Sequence, residues 1–438
     1  MEKKRIMFSR KMLISEPYIY CPRCHQKTFG TFVSISSQQS YSKECTACGY
    51  SRNYPLPGIK KRIVYLDQFV IDNFVKALDP KHPKHVAALR EPFWLEVFKK
   101  LDVLVRAQLI VCPDSFFHRE ESGPTGYFES MQRIYEHLST GITFDHGSEV
   151  IRKQICEHFG NFLRSAPDVA PVTLPEKIAQ GKLHEWNGRL QISINMKPRA
   201  EEVSEVMQGK ARTYQNFLEI FERWKTETGK GFDDWYKEET DGFATGTMGV
   251  IQDFARRKAQ APEKFLRDGT VNLNDLLPPP SVWLIEAMQW TAQKEGITDP
   301  AEVFKKIGEY LFSDKIELVP GIRIGSLLYA ALADQAAHGR TQPPSKGVIV
   351  DVDMISSFLP YCDAMFIDKE NAALLDDGRV KKKLGVGTHI YSLRDREAFL
   401  SYLDGILTTA DPKHFELVEQ TYGPGWKDPY LTILSRSR

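Results

Sequence analysis

Residues 63–68 read Ile-Val-Tyr-Leu-Asp-Gln, an apolar run that ends in an acid. Residues 359–368 read Leu-Pro-Tyr-Cys-Asp-Ala-Met-Phe-Ile-Asp, a second apolar run that ends in the same way. The carboxyl ends of buried parallel strands meet at one edge of a sheet, where α/β proteins place their sites. Hard divalent cations such as Mg²⁺ need several oxygen ligands, which acids at such an edge supply. The pattern predicts a metal-dependent enzyme that acts on phosphate.

Asp67 carries the first part of this prediction. A buried carboxylate costs several kcal/mol unless it is paired or bound to a metal. A surface loop acid would need no such explanation, but four apolar or aromatic residues precede Asp67. We therefore expect Asp67 to be functional, with Gln68 placed to orient it.

A third apolar run, Leu-Ile-Val-Cys-Pro at residues 109–113, predicts another strand, and a helix follows it. In that helix Ser115, His118 and Glu121 are spaced three apart, so they lie one turn apart on one face. Glu121 is favoured over Glu120 because it shares the face of His118. His118 either hydrogen-bonds a carboxylate or phosphate, or is a buried supporting residue; both interpretations stay open.

Two further acids lie in one predicted helix within residues 348–361. Asp351 falls at the edge of the apolar stripe of this helix, whereas Asp353 points elsewhere or caps the helix. We expect one of the two to face the metal, and periodicity favours Asp351.

The predicted strand 364–367 has an acid at each end. Asp368 follows the strand directly, so it belongs to the carboxyl edge together with Asp67. Asp363 lies at the opposite end, although a corner between helix and strand would bring it near the metal. Both are therefore kept as candidate ligands.

Four of the seven cysteines form two Cys-x-x-Cys knuckles, Cys21/Cys24 and Cys45/Cys48, with 20 residues between them. This spacing matches a zinc ribbon, in which each knuckle supplies two ligands of one tetrahedral zinc. Disulfides are the alternative, but nothing in the sequence indicates export. Four thiolates leave no open position, so the predicted zinc is structural and folds residues 1–57. Zinc ribbons commonly grip nucleic acid or protein.

Size and composition favour an ordinary soluble protein. The 438 residues predict two to three domains, and 42% hydrophobic with 26% charged residues is typical of globular chains. The net charge of +1 gives no global argument for nucleic-acid binding, which must rest on local patches. Neither a long apolar run nor an apolar segment after the basic start Met1–Arg5 is present, so we expect a cytoplasmic protein without membrane contact.

The pattern along the chain predicts β-α units that flank a mostly helical middle. The α/β core comprises residues 62–129 and 336–410, the helical insertion residues 130–335, and a C-terminal tail residues 411–438. The insertion is expected to wall the acidic cleft or to mediate formation of a homo-oligomer. Aromatic residues at helical spacing in the insertion are interpreted as core: Phe217, Phe221, Trp224, Trp283 and Trp290.

The acidic segments together carry a resemblance to a known family. They are Tyr-Leu-Asp-Gln at 65–68, Ser115-x-x-His118-x-x-Glu121, Asp351-x-Asp353, Leu-Pro-Tyr-Cys-Asp at 359–363 and Phe-Ile-Asp at 366–368. In order and setting these segments resemble the PIN-like nuclease domain. The resemblance covers roughly residues 62–408, with the helical middle as an insertion far longer than a minimal domain would have.

The resemblance implies an α/β/α sandwich with a central parallel sheet and an acidic pocket that holds Mg²⁺ or Mn²⁺. It further implies hydrolysis of phosphodiester bonds, by an endoribonuclease that prefers RNA to DNA. Carried over by position, the metal-binding acids are Asp67, Glu121, one of Asp351 and Asp353, and Asp368. Water activated by the metal would attack the phosphodiester, so no nucleophilic side chain is needed.

A rival hypothesis is a non-catalytic regulator that binds RNA or DNA, with the zinc ribbon as grip and the PIN-like domain as scaffold. Loss of one acid would favour it, and this chain keeps all of them. In a third interpretation the acids hold a structural ion or pair with Arg and Lys. The substrate, its strandedness, the oligomeric state and the cellular process stay open.

Overall fold

The structure, a computed structural model, describes residues 10–36, 39–167, 169–171, 173–188, 199–269 and 276–435. The segment Met1–Arg5, from which the absence of a signal peptide is predicted, lies outside these residues. The strands are β1 Ile14–Ile19, β2 Phe29–Ser36, β3 Ser40–Cys45, β4 Ser51–Pro55, β5 Arg62–Leu66, β6 Ile110–Val111, β7 Thr143–Phe144, β8 Ala179–Gln180, β9 Ala364–Phe366 and β10 His389–Tyr391.

The helices lie mostly between β6 and β9. They are α1 Gln68–Leu78, α2 His85–Ala88, α3 Pro92–Arg106, α4 Phe116–Ser122, α5 Phe128–Ser139, α6 Gly147–Leu163, α7 Pro175–Ile178, α8 Ala200–Thr226, α9 Phe232–Asp268, α10 Pro280–Lys294, α11 Pro300–Leu311, α12 Pro320–Ala337, α13 Val348–Phe358, α14 Lys369–Asp376, α15 Gly378–Leu384, α16 Arg396–Thr408 and α17 Pro412–Tyr422. In the described part of the chain, no helix is both long and apolar enough to cross a bilayer.

The first sheet is antiparallel, in the order β1-β2-β3-β4. Its two knuckles lie in the β1–β2 connection and at the turn after β3. The residues directly after the knuckles, His25 and Gly49, have φ angles of 57° and 69°. This left-handed conformation closes a tight turn behind each cysteine pair and is the reason that glycine suits the second position.

The second sheet is parallel, in the order β10-β9-β5-β6. The chain passes from β5 to β6 in one direction and later adds β9 and β10 on the other side of β5. Strand order therefore reverses between β5 and β9. In open α/β sheets a crevice for ligands opens at this switch point, beyond the carboxyl ends of the strands.

Helices cover both faces of the parallel sheet because alternate strand residues point to opposite faces. Ile63 and Tyr65 of β5 join a core with α8, α9, α12 and α13. Val64 and Leu66 join a second core with α1, α3, α5 and α16. The predicted mixed α/β class with a parallel sheet is confirmed.

The helical middle is continuous with the first of these cores rather than a separate body. Phe217, Phe221 and Trp224 of α8 are buried in it, as predicted. Trp283 and Trp290 of α10 are 51% and 62% exposed, so their interpretation as core residues is wrong. The buried face of α10 is instead formed by Leu284, Met288 and Ala292.

The C-terminal segment, which was predicted to be a tail, packs against the rest of the chain. Val418 of α17 and Trp426 share a buried cluster with Tyr41 and Leu56 from the cysteine-containing region. The segment predicted as a tail thus joins that region to the α/β core.

Candidate active site

Asp67 and Asp368 are neighbours at the carboxyl edge of the parallel sheet. Leu66 of β5 lies opposite Phe366 of β9, and the Asp67 N–H donates to the Phe366 carbonyl oxygen at 3.0 Å. Each acid then precedes a helix, α1 after Asp67 and α14 after Asp368. The prediction that both acids share one sheet edge is confirmed.

The two acids differ in how their carboxylates are used. Asp368 caps α14, since its Oδ1 accepts from the N–H groups of Glu370 at 2.6 Å and Asn371 at 3.1 Å. Asp67 is 9% exposed and makes no side-chain capping hydrogen bond to α1. An aspartate before a helix normally caps it. The carboxylate of Asp67 borders the crevice, and it lies near enough to the N–H groups of Gln68 and Phe69 for them to lower its pKa.

Asp351 of α13 and Glu121 of α4 complete what we call the acid cluster: Asp67, Glu121, Asp351 and Asp368. Burial, together with the charges of Glu121 and Asp368, raises the pKa of Asp67 to about 8. Burial raises the pKa of Asp351 to about 9, again with contributions from the other three acids. Burial also raises the pKa of Glu121, which Lys210 of α8 partly opposes.

The raised pKa values of Asp67 and Asp351 place both carboxyls within electrostatic reach of Glu121 and Asp368. Carboxylates that share a buried site repel each other, and this repulsion raises their pKa values until a cation or protons relieve it. The acid cluster draws on β5, α4, α13 and β9, which are far apart in sequence. Its members therefore converge through the tertiary fold.

Asn371 of α14 links two members of the cluster. It is 2% exposed, and its Nδ2 donates to Asp351 Oδ2 at 3.1 Å and to Asp368 Oδ2. Its Oδ1 is buried without a hydrogen-bond partner among the described residues. An orphaned buried oxygen beside two carboxylates suits a bound cation or its water, because hard cations take amide oxygens as well as carboxylates.

His118 is buried and borders the crevice, but both of its ring nitrogens are already engaged. Its Nε2 donates to the Leu66 carbonyl oxygen at 2.8 Å, and its Nδ1 lies 3.2 Å from Asp114 Oδ1. The ring stacks between Tyr65 and Tyr135. His118 thus holds the end of β5 against α4, which matches the supporting interpretation.

Ser115 has the role of a helix cap. Its Oγ accepts from the His118 N–H at 3.4 Å and lies 2.7 Å from the Tyr65 hydroxyl. Ser115 therefore supports the position of α4, and with it that of Glu121, without facing the crevice.

The crevice between the acids is narrow, with a cavity of about 10 Å³ bordered by Asp67, Glu121 and Asp351. That volume suffices for about one water molecule or ion. Gln68 lines the same space, but its amide donates to Met131 Sδ at 3.8 Å rather than to Asp67. The expected orienting role of Gln68 is therefore not seen.

Asp353 lies apart from the acid cluster. Its side chain reaches the surface of α13, where the surrounding atoms still raise its pKa to about 6 by burial, and its charge acts on Tyr329 of α12. It is not among the charges that raise the pKa of Asp67 or Asp351. The geometry thus selects Asp351 from the pair, as helical periodicity favoured, and corrects the nomination of Asp353.

Asp363 also lies apart, at the amino end of β9. Its Oδ2 accepts from the Ile63 N–H at 2.7 Å, at the start of β5 rather than its end. The whole length of the strand separates Asp363 from Asp368. The nomination of Asp363 as a magnesium or manganese ligand is therefore corrected: it fixes strand register instead.

The four predicted zinc ligands come together. Cys21 and Cys48 Sγ atoms lie 3.6 Å apart, as do those of Cys24 and Cys45. Four thiolates around a zinc, with Zn–S distances of about 2.3 Å, are roughly 3.8 Å from one another. The cysteines could therefore hold a metal ion such as zinc.

The two sites differ in how tightly their ligand atoms converge. Of the described residues, the four cysteines form the group whose ligand atoms all lie within 4.8 Å of one another. The acids are more widely spread. Mg²⁺ usually keeps several waters and takes only one or two carboxylates directly, so a wider arrangement of acids fits it.

Sequence reasoning missed two residues of this region, Asn371 and Asp114. Asn371 follows Asp368 by three positions in α14, a spacing that places it on the same helix face. Asp114 follows β6 and is 6% exposed, and the rule applied to Asp67 and Asp368 would have nominated it. Its carboxylate is instead engaged by His118 and Arg119.

Comparison of the chain with protein-family models, with curated proteins and with solved structures found no match. The case for a function therefore rests on the site itself. Hard oxygen donors converge at a switch point, a buried amide oxygen lies unpaired beside them, and the space between them admits a single small ligand.

Proposed function

We propose that this chain is a nuclease that depends on a divalent metal ion, an endoribonuclease of the PIN-like type. The acid cluster carries the proposal, since burial and the charges of neighbouring acids raise the pKa values of Asp67 and Asp351, and Asp67, Glu121 and Asp351 border a space of ionic size. Such a cluster is costly to bury unless a cation or a function justifies it. The preference for RNA over DNA rests on the family resemblance.

Asp67, Glu121, Asp351 and Asp368 would hold Mg²⁺ or Mn²⁺, which lowers the pKa of a bound water and offsets charge on the phosphoryl oxygens. Asn371 fixes the relative positions of Asp351 and Asp368 through its amide group. His118 is already bonded at both ring nitrogens, so it serves as a positioning residue rather than as the base.

The cysteine site has a separate, structural role in this proposal. One zinc would join Cys21 and Cys24 to Cys45 and Cys48, and would fix the turns at which both knuckles lie. The cluster that includes Tyr41, Leu56 and Val418 connects this region to the core. A ribbon held in this way can present nucleic acid to the α/β domain.

The test is cleavage of labelled single-stranded RNA and DNA in Mg²⁺ or Mn²⁺. Asp67→Asn should lower the rate by at least on the order of a hundredfold, because no other group replaces a lost ligand. Asp353→Asn is the matched control, since Asp353 shares α13 with Asp351 but lies outside the cluster; it should cut like the parent.

The rival hypothesis is a regulator that binds nucleic acid without cutting it. A parent protein that binds RNA but cuts none in either metal would favour the regulator. An Asp67→Asn variant that cuts as fast as the parent would remove the acid cluster from the reaction.

A further inference from the structure

A second cleft adjoins the acid cluster on the side of β10. It has a volume of about 290 Å³ and is lined by residues of α12, α14 and the segment after β10. Three of its lining residues are cationic: Arg340, Lys369 and Arg394. We call this space the basic cleft.

Sheet topology places the basic cleft beside the acids. Lys369 directly follows Asp368, as the first residue of α14. Arg394 follows β10, which pairs in parallel with β9, and the Ile367 N–H donates to the Tyr391 carbonyl oxygen at 2.9 Å. The carboxyl ends of β5, β9 and β10 thus present, in order, Asp67, Asp368 and Arg394. The cleft begins where the acid cluster ends.

The three cations of the cleft differ in whether they have partners within the chain. Arg340 is held by Gln335 and the Gln342 carbonyl oxygen, and it pairs with Glu370. The side chains of Lys369 and Arg394 are exposed, and neither forms an ion pair with another described residue. A concave space that holds two unpaired cations favours an anionic ligand, because a cleft lined by one sign of charge attracts the opposite charge.

We propose that the basic cleft binds the phosphate that neighbours the scissile phosphate of a single-stranded nucleic acid. This inference rests on the proposed function, and it assigns to the same site a path for the strand. The cleft volume is close to the lower end of small-molecule pockets, at about 300 Å³, so it suits one nucleotide. Lys369 and Arg394 would contact the backbone and carry no sequence preference.

Binding is measured by fluorescence anisotropy of a short single-stranded RNA, without added divalent cation so that no cleavage occurs. The Lys369→Ala/Arg394→Ala double variant should bind about 25-fold more weakly at about 0.1 M salt. Two lost contacts should also lower the slope of log K against log salt by about 1.4, since each phosphate contact on a single strand contributes about 0.7.

The control removes the same charge elsewhere. Lys382 of α15 and Lys413 of α17 are exposed, and neither pairs with an acid among the described residues. Lys382→Ala/Lys413→Ala should leave both affinity and salt slope as in the parent. An equal loss in this control would show a general charge effect and would overturn the assignment of the cleft.

A gain of affinity provides an independent arm. Glu370 places a carboxylate in the cleft and engages Arg340. Glu370→Gln removes that repulsion and frees Arg340, so binding should tighten by several fold. A loss of affinity in this variant would contradict the proposal, and a folding defect cannot imitate the expected gain.

A 5′-mononucleotide is the competitor that separates the two sources of phosphate. Displacement of the RNA only at far higher concentration supports a strand site, whereas equal affinity for mononucleotide and strand overturns it. Failure of the cleft and failure of the nuclease proposal remain distinct. If cleavage depends on Asp67 but the double variant binds RNA as tightly as the parent, only the cleft proposal is overturned. Weakened binding in that variant, with no cleavage by the parent, removes only the nuclease.

Discussion

Replacement of Asp67 by asparagine should stabilise the protein when no divalent cation occupies the acid cluster. Burial and neighbouring charges raise the pKa of this carboxyl from 3.8 to about 8 in the folded state. Between these values the folded state binds a proton that the unfolded state has released. Stability therefore falls as pH rises from about 4 to about 8. The contribution of protonated Asp67 to stability is fully present only below about pH 4.

At pH 7 about three units of this window have been crossed, each worth about 1.4 kcal/mol. The penalty from Asp67 alone is then up to about 4 kcal/mol. Asparagine has a similar volume and does not ionise, so Asp67→Asn should recover most of it and flatten the pH dependence. Asp351, whose pKa is raised to about 9, should leave a remaining slope in the variant.

The assay is urea unfolding followed by tryptophan fluorescence, at several values between about pH 5 and pH 8, without strong chelators. A strong chelator would also remove a metal from the four cysteines and unfold that region. Asp376→Asn is the control, because Asp376 is an exposed acid of α14 whose side chain is 71% accessible. It should leave the midpoint and its pH dependence unchanged.

Addition of Mg²⁺ or Mn²⁺ should narrow the difference in stability between the parent and Asp67→Asn. A cation at about one hundred times its Kd stabilises the folded state by about 2.7 kcal/mol, and the variant should lose most of that gain. The reasoning is refuted if the parent and Asp67→Asn lose stability equally as pH rises. It is also refuted if added cation stabilises both proteins by the same amount.

Two further predictions concern the other ligands. Purified protein should contain about one zinc per chain by metal analysis, and Cys24→Ser should lose it together with the fold of the ribbon; a parent without metal would end this proposal. Asn371→Ala should lower Mg²⁺ or Mn²⁺ affinity by about ten- to a hundredfold in calorimetry, because Asp351 and Asp368 lose their common donor. Unchanged affinity would make Asn371 a packing residue only.

The strands of the parallel sheet were the part of the fold most open to prediction from sequence. Strands buried on both faces appear as short, continuous apolar runs, and turn residues or acids bound them. The apolar runs at 63–66 and 109–113 correspond to β5 and β6, and the predicted strand 364–367 corresponds to β9. Strand order was not accessible in this way, because it depends on which strands pair.

The aromatic residues of α10 show where periodicity is insufficient. Trp283 and Trp290 lie seven positions apart on one helix face, while Leu284, Met288 and Ala292 form a competing stripe. Both stripes satisfy the helical period, so the sequence alone cannot tell which one meets the core. Close packing against α6 and α11 selected the stripe with smaller side chains, and both tryptophans remain exposed.

Some residues of the acid cluster can likewise be predicted from local sequence pattern, whereas others depend on the packing of distant helices. Asp67 and Asp368 follow from strand ends, and Asp351 follows from the edge of an apolar stripe. Asn371 could not be found from these signals, since its role requires α13 to lie beside α14. Asp363 failed for a geometric reason: a strand has two ends, and its apolar character does not say which of them the crevice adjoins.

The reversal of strand order explains why Asp67 and Asp368, which are 301 positions apart in sequence, are neighbours in space. β5 is the first strand of the sheet and β9 the third, and the switch point lies between them. A connection that leaves one edge of β5 and returns on its other side can be lengthened without moving either strand end. The helices from α6 to α11 can therefore extend around the sheet. One of them, α8, reaches α4, where Lys210 Nζ lies 3.6 Å from a carboxylate oxygen of Glu120. The position of the acids is thus set by the topology of four short strands, and the long insertion shapes the approach to them.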